Sequence, residues 1–101
     1  MAIAFVQEFD AGDDRSTANY DAIKEGLNPE ADKPAGLLVH TAGFTEEGVF
    51  RIFDVWESEA DFKRFYDERL MPVVEKVMSE GPGGPPPARE YTYELHDYFP
   101  R

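Results

Sequence analysis

Residues 51–72, RIFDVWESEADFKRFYDERLMP, constrain the fold more than any other stretch. They read as a buried strand running straight into an amphipathic helix. The strand is expected over 49–57, with Asp54 and the only tryptophan, Trp56, among apolar neighbours. Ser58-Glu-Ala-Asp61 is a variant capping box with Asp in place of Glu, so the helix starts there. Phe62, Phe65, Tyr66 and Leu70 make its apolar face at helical spacing. Pro72 fits poorly inside a helix and implies a kink or restart. Val73, Val74, Val77 and Met78 then continue helically to Glu80.

The rest of the chain supplies the partners. Residues 2–9 form a short apolar strand, with Ile3, Phe5 and Phe9 on one face and Ala4 and Val6 on the other. A helix over about 15–27 follows, capped by Asp14 or Ser16, with Tyr20, Ile23 and Leu27 in one stripe. Asn28-Pro29 stops it, because a residue before proline leaves the helical region. Strand two covers 37–43 and the Thr-Glu-Glu-Gly turn makes a hairpin to strand three. Residues 81–89 form a Gly/Pro linker, extended in its polyproline half. Strand four is expected over 90–99. The order βαββαβ predicts one α+β domain over 1–101, ferredoxin-like: a four-stranded antiparallel sheet with both helices on one face.

Composition removes several function classes. The net charge is -11, against nucleic-acid binding, which needs a basic footprint. It argues equally against anionic membrane surfaces. No apolar run approaches a membrane span, and the N-terminus lacks the pattern of a signal peptide, so a cytoplasmic protein is the expectation. The absence of cysteine excludes disulfides and thiolate chemistry. Two histidines leave little for a metal site, and neither a metal nor a cofactor is expected. Eight Phe and five Tyr are generous for 101 residues, so large rings must pack together or line a cavity.

Alternation sorts strand three into two sets. Val49, Arg51, Phe53 and Val55 point one way, and Phe50, Ile52, Asp54 and Trp56 the other. In strand two Leu37, Val39 and Thr41 oppose Leu38, His40 and Ala42. If the hairpin registers match, His40 shares a face with Ile52 and Asp54. The first set is read as the helix-packing face. The second is then an apolar face needing a cover, and the sheet of a second subunit is the natural one.

The segments Pro34-Ala-Gly-Leu-Leu-Val-His40, Asp54-Val-Trp-Glu-Ser58, Phe62 and Phe65, and Tyr93-Glu-Leu-His-Asp97 resemble the dimeric α/β-barrel superfamily. Within it the chain resembles the antibiotic-biosynthesis-monooxygenase-like proteins, and the likeness covers most of its length. It implies a homodimer forming a dimeric α/β barrel. It also implies a cofactor-independent monooxygenase-like activity on a hydrophobic, aromatic small molecule held in a barrel cavity. The haem-degrading branch uses an asparagine in the first strand, and strand one here has none.

The candidate residues follow. His40 is a candidate general base that converts a neutral phenol to the electron-rich phenolate, with Asp54 orienting it. The alternative is a half-buried structural histidine. Asp54, if buried, needs a partner: His40, Arg51 or Lys63. Trp56, Phe50 and Phe65 are candidate cavity walls, or core. Tyr20 and His96 are candidate hydrogen-bond donors to a ligand, against core packing for Tyr20 and an edge or interface position for His96. The competing function is a non-catalytic small-molecule-binding or stress-response protein of the same fold.

Overall fold

A computed structural model describes residues 1–81 and 84–99. Pro82 and Gly83 of the expected linker, with Pro100 and Arg101, lie outside the described residues. The elements run β1 (Ile3–Asp10), α1 (Ala18–Leu27), β2 (Leu37–Phe44), β3 (Val49–Trp56), α2 (Glu59–Phe65), a π-helical turn (Tyr66–Leu70), α3 (Met71–Glu80) and β4 (Arg89–Glu94). The four strands make one antiparallel sheet in the order β2-β3-β1-β4, with the helices on one face. This is the ferredoxin-like arrangement. Among the described residues no helix is long and apolar enough to cross a membrane.

The helix starts and stops have local causes. Ser58 Oγ accepts the backbone N–H of Asp61 at 3.1 Å, and its hydroxyl donates to Asp61 Oδ2 at 3.0 Å. The shorter Asp thus meets the cap's hydroxyl, where Glu would reach back to the backbone N–H. Pro72 has no N–H to continue the ladder, and the turn before it opens: Met71 N–H bonds the carbonyl of Tyr66, five residues back. The chain therefore passes Pro72 without breaking. The same turn carries Arg69, whose Nη2 donates to the carbonyls of Leu27 (3.2 Å) and Asp32 (2.9 Å) and fixes the C-terminal end of α1. Asn28 closes that end with φ of 49° and an N–H to Lys24 O. The N-terminal end of α1 begins three residues later than expected: Asp14 Oδ1 accepts from Ser16 N–H, and the Thr17 hydroxyl at the cap donates to Asp21 Oδ2 at 2.9 Å instead of accepting a backbone N–H.

The core sits between the sheet and α2. Ile3, Phe5, Trp56 and Phe62 are buried together, with Leu37, Phe65 and Tyr66 packed against them. Phe5 and Phe62 have ring centroids 4.5 Å apart, and Trp56 lies 5.0 Å from Phe65 and 5.9 Å from Phe62.

This reverses the face assignment made from alternation. The Phe50, Ile52, Asp54 and Trp56 set faces the helices, and the Arg51, Phe53 and Val55 set faces away. The reason is shape and charge. The rings of Trp56 and Phe5 complement the Phe62–Phe65 stripe, whereas Arg51 pairs with Glu8 at 2.7 Å and keeps its side chain 48% exposed, which no covering helix would allow. Register places Ala4, Val6, Glu8, Val39, Thr41, Arg89, Tyr91 and Tyr93 on that outer face with Arg51. Its small members Ala4 and Val6 are buried, but Val39, Tyr91 and Tyr93 are exposed.

Two further departures are local. A register shift between Leu37 and Val39 puts Leu37 opposite Trp56 and Val39 opposite Val55, so Leu37 joins the core on the same face as His40. β4 ends at Glu94 instead of 99, once Leu95 N–H has bonded Ala2 O at the start of β1.

Candidate functional site

The hairpin turn sets the centre of the site. Thr45 N–H bonds Val49 O at 2.8 Å, and Gly48 takes φ of 84° to bring the chain round. From this turn the register runs Phe44 opposite Phe50, Ala42 opposite Ile52 and His40 opposite Asp54. His40 and Asp54 are therefore cross-strand neighbours on the helix-facing side. Their side chains meet at 2.6 Å between His40 Nδ1 and Asp54 Oδ1.

α1 contributes the third member. Tyr20 Oη lies 2.7 Å from His40 Nε2. Burial, and then the Asp54 and Asp21 carboxylates, push the Tyr20 phenol above its ordinary value near 10.0. Tyr20 is thus a neutral donor at neutral pH. Its O–H donates to Nε2, which leaves the His40 proton on Nδ1, donated to Asp54. Asp54 is 6% exposed, and this hydrogen bond meets the demand of a buried carboxylate for a donor. His40 is more open, with its side chain 36% exposed.

Rings flank this chain on both sides. Toward the hairpin, Phe50 stands edge-on to Tyr20 at 5.4 Å and packs on Phe44 at 4.9 Å and Phe9 at 6.5 Å. Toward α2, Trp56 follows Asp54 two residues on and lies among Phe62 and Phe65. Trp56 is 1% exposed, yet its indole Nε1–H has no hydrogen-bond partner among the described residues. A buried donor of this kind costs about 1–3 kcal/mol unless something accepts from it.

A cleft of about 360 Å³ opens between α2, the π-helical turn and β4. Phe5, Phe62 and Tyr66 form its apolar walls and Glu90 and Thr92 its floor. Glu90 is held by Gln7 Nε2 at 2.7 Å and Tyr66 Oη at 3.0 Å. Burial, and then the bond to Glu90, raise the Tyr66 phenol. Across the sheet His40, Asp54, Phe5 and Thr92 form one row of register partners. Phe5 therefore stands between the Asp54 side of the row and the cleft.

The sequence candidates fall into two groups. Tyr20, His40, Asp54 and Phe50 come together directly, and Trp56 with Phe65 forms the adjoining ring cluster. His96 does not join them. It is exposed beyond the end of β4, on the sheet edge opposite β2. Reading the residues alone misses Gln7, Tyr66 and Glu90. Gln7 and Glu90 signal only by polarity on strands one and four, Tyr66 reads as part of the helix's apolar stripe, and the sheet order that unites them depends on the crossovers. Among the described residues no three metal-ligating side chains gather.

No family model matches this sequence, and no curated protein is similar to it in sequence. Solved structures are similar to it in fold. SnoaB, a cofactor-independent oxygenase from Streptomyces nogalater, superposes with a TM-score of 0.64 at 12% identity, over 99% of this chain and 98% of that one. Rv0793 from Mycobacterium tuberculosis gives 0.69 at 14% identity, over 99% and 100%. A Caulobacter crescentus protein assigned as an antibiotic biosynthesis monooxygenase gives 0.67 at 15%, over 95% and 91%. At such identities the likeness is one of fold alone, shared with a cofactor-independent oxygenase and with a protein assigned as an antibiotic biosynthesis monooxygenase.

Proposed function

We propose that the protein is a cofactor-independent monooxygenase-like enzyme acting on a neutral aromatic phenol. The Tyr20–His40–Asp54 chain carries this reading. A phenol becomes reactive toward dioxygen when it loses its proton, because the phenolate is a far better electron donor. His40 is the base, and Asp54 holds its tautomer and stabilises the imidazolium that forms. The ring of Phe50, edge-on to Tyr20, offers an apolar wall. The oxygenase activity named for SnoaB, on the same fold, is consistent with this chemistry.

The reaction balances with no added reductant. For the probe 1-naphthol, substrate plus dioxygen yields 1,4-naphthoquinone plus water. The substrate supplies the electrons, one oxygen atom enters the ring at the para carbon, and the other leaves as water. The working unit we propose is a homodimer joined through the outer sheet face, where Val39, Tyr91 and Tyr93 leave apolar surface uncovered. Oxygen uptake with a panel of polycyclic phenols, in protein free of added flavin and metal, tests the activity. Uptake that needs the protein supports it, and none across the panel overturns it.

One observation favours a second reading. The 360 Å³ cleft is walled by Phe5, Phe62 and Tyr66 rather than by His40. A non-catalytic protein would hold an aromatic ligand there. Amide shifts on titration with 1-naphthol separate the two: changes centred on Thr92 and Glu90 fit binding alone, and changes at His40 and Phe50 fit the enzyme.

A further inference from the structure

We propose that Tyr20, rather than His40, is the group that meets the substrate: it takes the phenol proton while passing its own to His40 Nε2. This rests on the oxygenase reading above and says which atom of that site does the work.

Both ring nitrogens of His40 are already engaged, Nδ1 by Asp54 at 2.6 Å and Nε2 by Tyr20 at 2.7 Å. A substrate hydroxyl therefore finds no free lone pair on the imidazole. The open end of the chain is Tyr20 Oη, which donates its one proton to Nε2 and keeps lone pairs for an incoming O–H. The planes of the Tyr20 and His40 rings are 3° apart with centroids 6.1 Å apart. With a 2.7 Å bond between their edges, that separation sets the rings edge to edge, so the phenol O–H runs along the in-plane lone pair of Nε2. The raised ionisation of Tyr20 keeps that proton in place until a second proton arrives to replace it.

The carrier of Tyr20 is also suited to the role. No residue of α1 is buried. At its C-terminal end Arg69 bonds Leu27 O, and Gly26 packs under Val73 so closely that an added Cβ would lie 2.8 Å from Val73 Cγ1. Tyr20 sits near the other end, in the first turn, edge-on to Phe50, on which a flat substrate would lie; the neighbouring Phe44 ring carries the Arg15 guanidinium at 4.7 Å. A phenol lying on Phe50 would set its oxygen beside Tyr20 Oη, with the acceptor His40 Nε2 behind it.

The proton count closes. The substrate O–H breaks and a new O–H forms on Tyr20 Oη. The original Tyr20 proton moves to Nε2, and the resulting imidazolium is neutralised by Asp54. After oxygen transfer the proton returns by the same line to the oxygen atom leaving as water, which takes its second hydrogen from the ring C–H.

The test is oxygen uptake with 1-naphthol by the wild type, Tyr20→Phe, His40→Ala and the double variant. Each single variant is expected to lose about 10²-fold or more in kcat with little change in KM. The double variant should be no slower than the worse single one, because both changes cut one line. Tyr20→Phe turnover at or above wild type, with His40→Ala impaired, would mean that substrate meets His40 directly and overturns the proposal while leaving the oxygenase reading intact. No uptake by the wild type overturns that reading and this proposal together. A second variant guards against a folding defect: difluorotyrosine placed at position 20 keeps the ring and acidifies the phenol. The pH–rate profile is expected to move to lower pH, and an unmoved profile overturns the relay.

Discussion

His40 Nδ1 stands 2.6 Å from Asp54 Oδ1, and the two residues are direct partners across the β2–β3 ladder. The pair is held by backbone register and not by loop geometry. Strand residues at this spacing keep their side chains on one face with little freedom, so the imidazole tautomer is set by the sheet itself. Tyr20 then reads that tautomer from a helix on the same side. The site is a strand-built dyad with a helix-borne phenol at its open end.

Trp56→Phe tests the orphaned indole. The smaller ring leaves some space, but the buried Nε1–H and its desolvation cost go with it. The two effects oppose each other, and the expected net change in stability is within about 1 kcal/mol by urea denaturation. A stability loss of about 3 kcal/mol or more would show that Nε1 is satisfied in solution.

Tyr20 makes the fold sensitive to alkali. Its phenol is raised in the folded state, by burial first and by Asp54 and Asp21 next. A raised value means that the folded state holds the proton more tightly than the unfolded chain. The contribution is therefore fully present below the ordinary phenol value and lost as pH rises through the folded-state value. The urea midpoint is expected to fall as pH climbs above about 10, and less steeply in Tyr20→Phe. Tyr66, raised by burial and by Glu90, adds a slope that the Tyr20 substitution leaves in place. Parallel pH curves for the two proteins would contradict this account of Tyr20.

Gly48 is the hinge of the hairpin. It holds φ of 84°, and a Cβ there would come within 2.5 Å of Gly12 O. Its own carbonyl accepts from both Ala11 and Gly12 N–H at 2.9 Å, so the neighbouring backbone has little room to yield. Gly48→Ala is expected to cost about 1–3 kcal/mol in chemical denaturation. Because the same turn sets the His40–Asp54 register, the variant should also lose activity out of proportion to its unfolded fraction. Wild-type stability would show that the turn relaxes freely.

The outer sheet face predicts assembly. Tyr93 is 46% exposed beside Tyr91, and Val39 is 46% exposed on the far edge strand. Sedimentation of the wild type is expected to give about twice the 11.5 kDa chain mass. Tyr93→Glu would bury a charge in that interface and is expected to give monomers that remain folded. A monomeric wild type at micromolar concentration would remove the dimer from the account.

Much of this molecule is readable before any coordinates. The strand–helix junction at Ser58, the hairpin and the βαββαβ order each follow from short-range chemistry. That His40 and Asp54 share a face follows from a short turn and a period of two. Which face the helices take does not. Both faces of β3 carry apolar residues, and the choice depends on Arg51 finding Glu8 on a different strand. The Leu37–Val39 register shift is equally hidden, because Leu37, Leu38 and Val39 are interchangeable in a hydrophobic pattern. The bond from Tyr20 to His40 depends on how α1 is rotated and anchored, and one anchor, Arg69 on Leu27 O, lies 42 residues away in the chain.

The central claim is that the Tyr20–His40–Asp54 chain moves a substrate proton. Its most direct test is protein-dependent oxygen uptake with 1-naphthol, comparing the wild type with Asp54→Asn under identical conditions. Asn keeps the shape and a hydrogen bond to Nδ1, but it removes the charge that stabilises the imidazolium. The account predicts a fall in kcat of about 10²–10⁴-fold in a protein that melts like the wild type. Uptake by the variant equal to that of the wild type would contradict it.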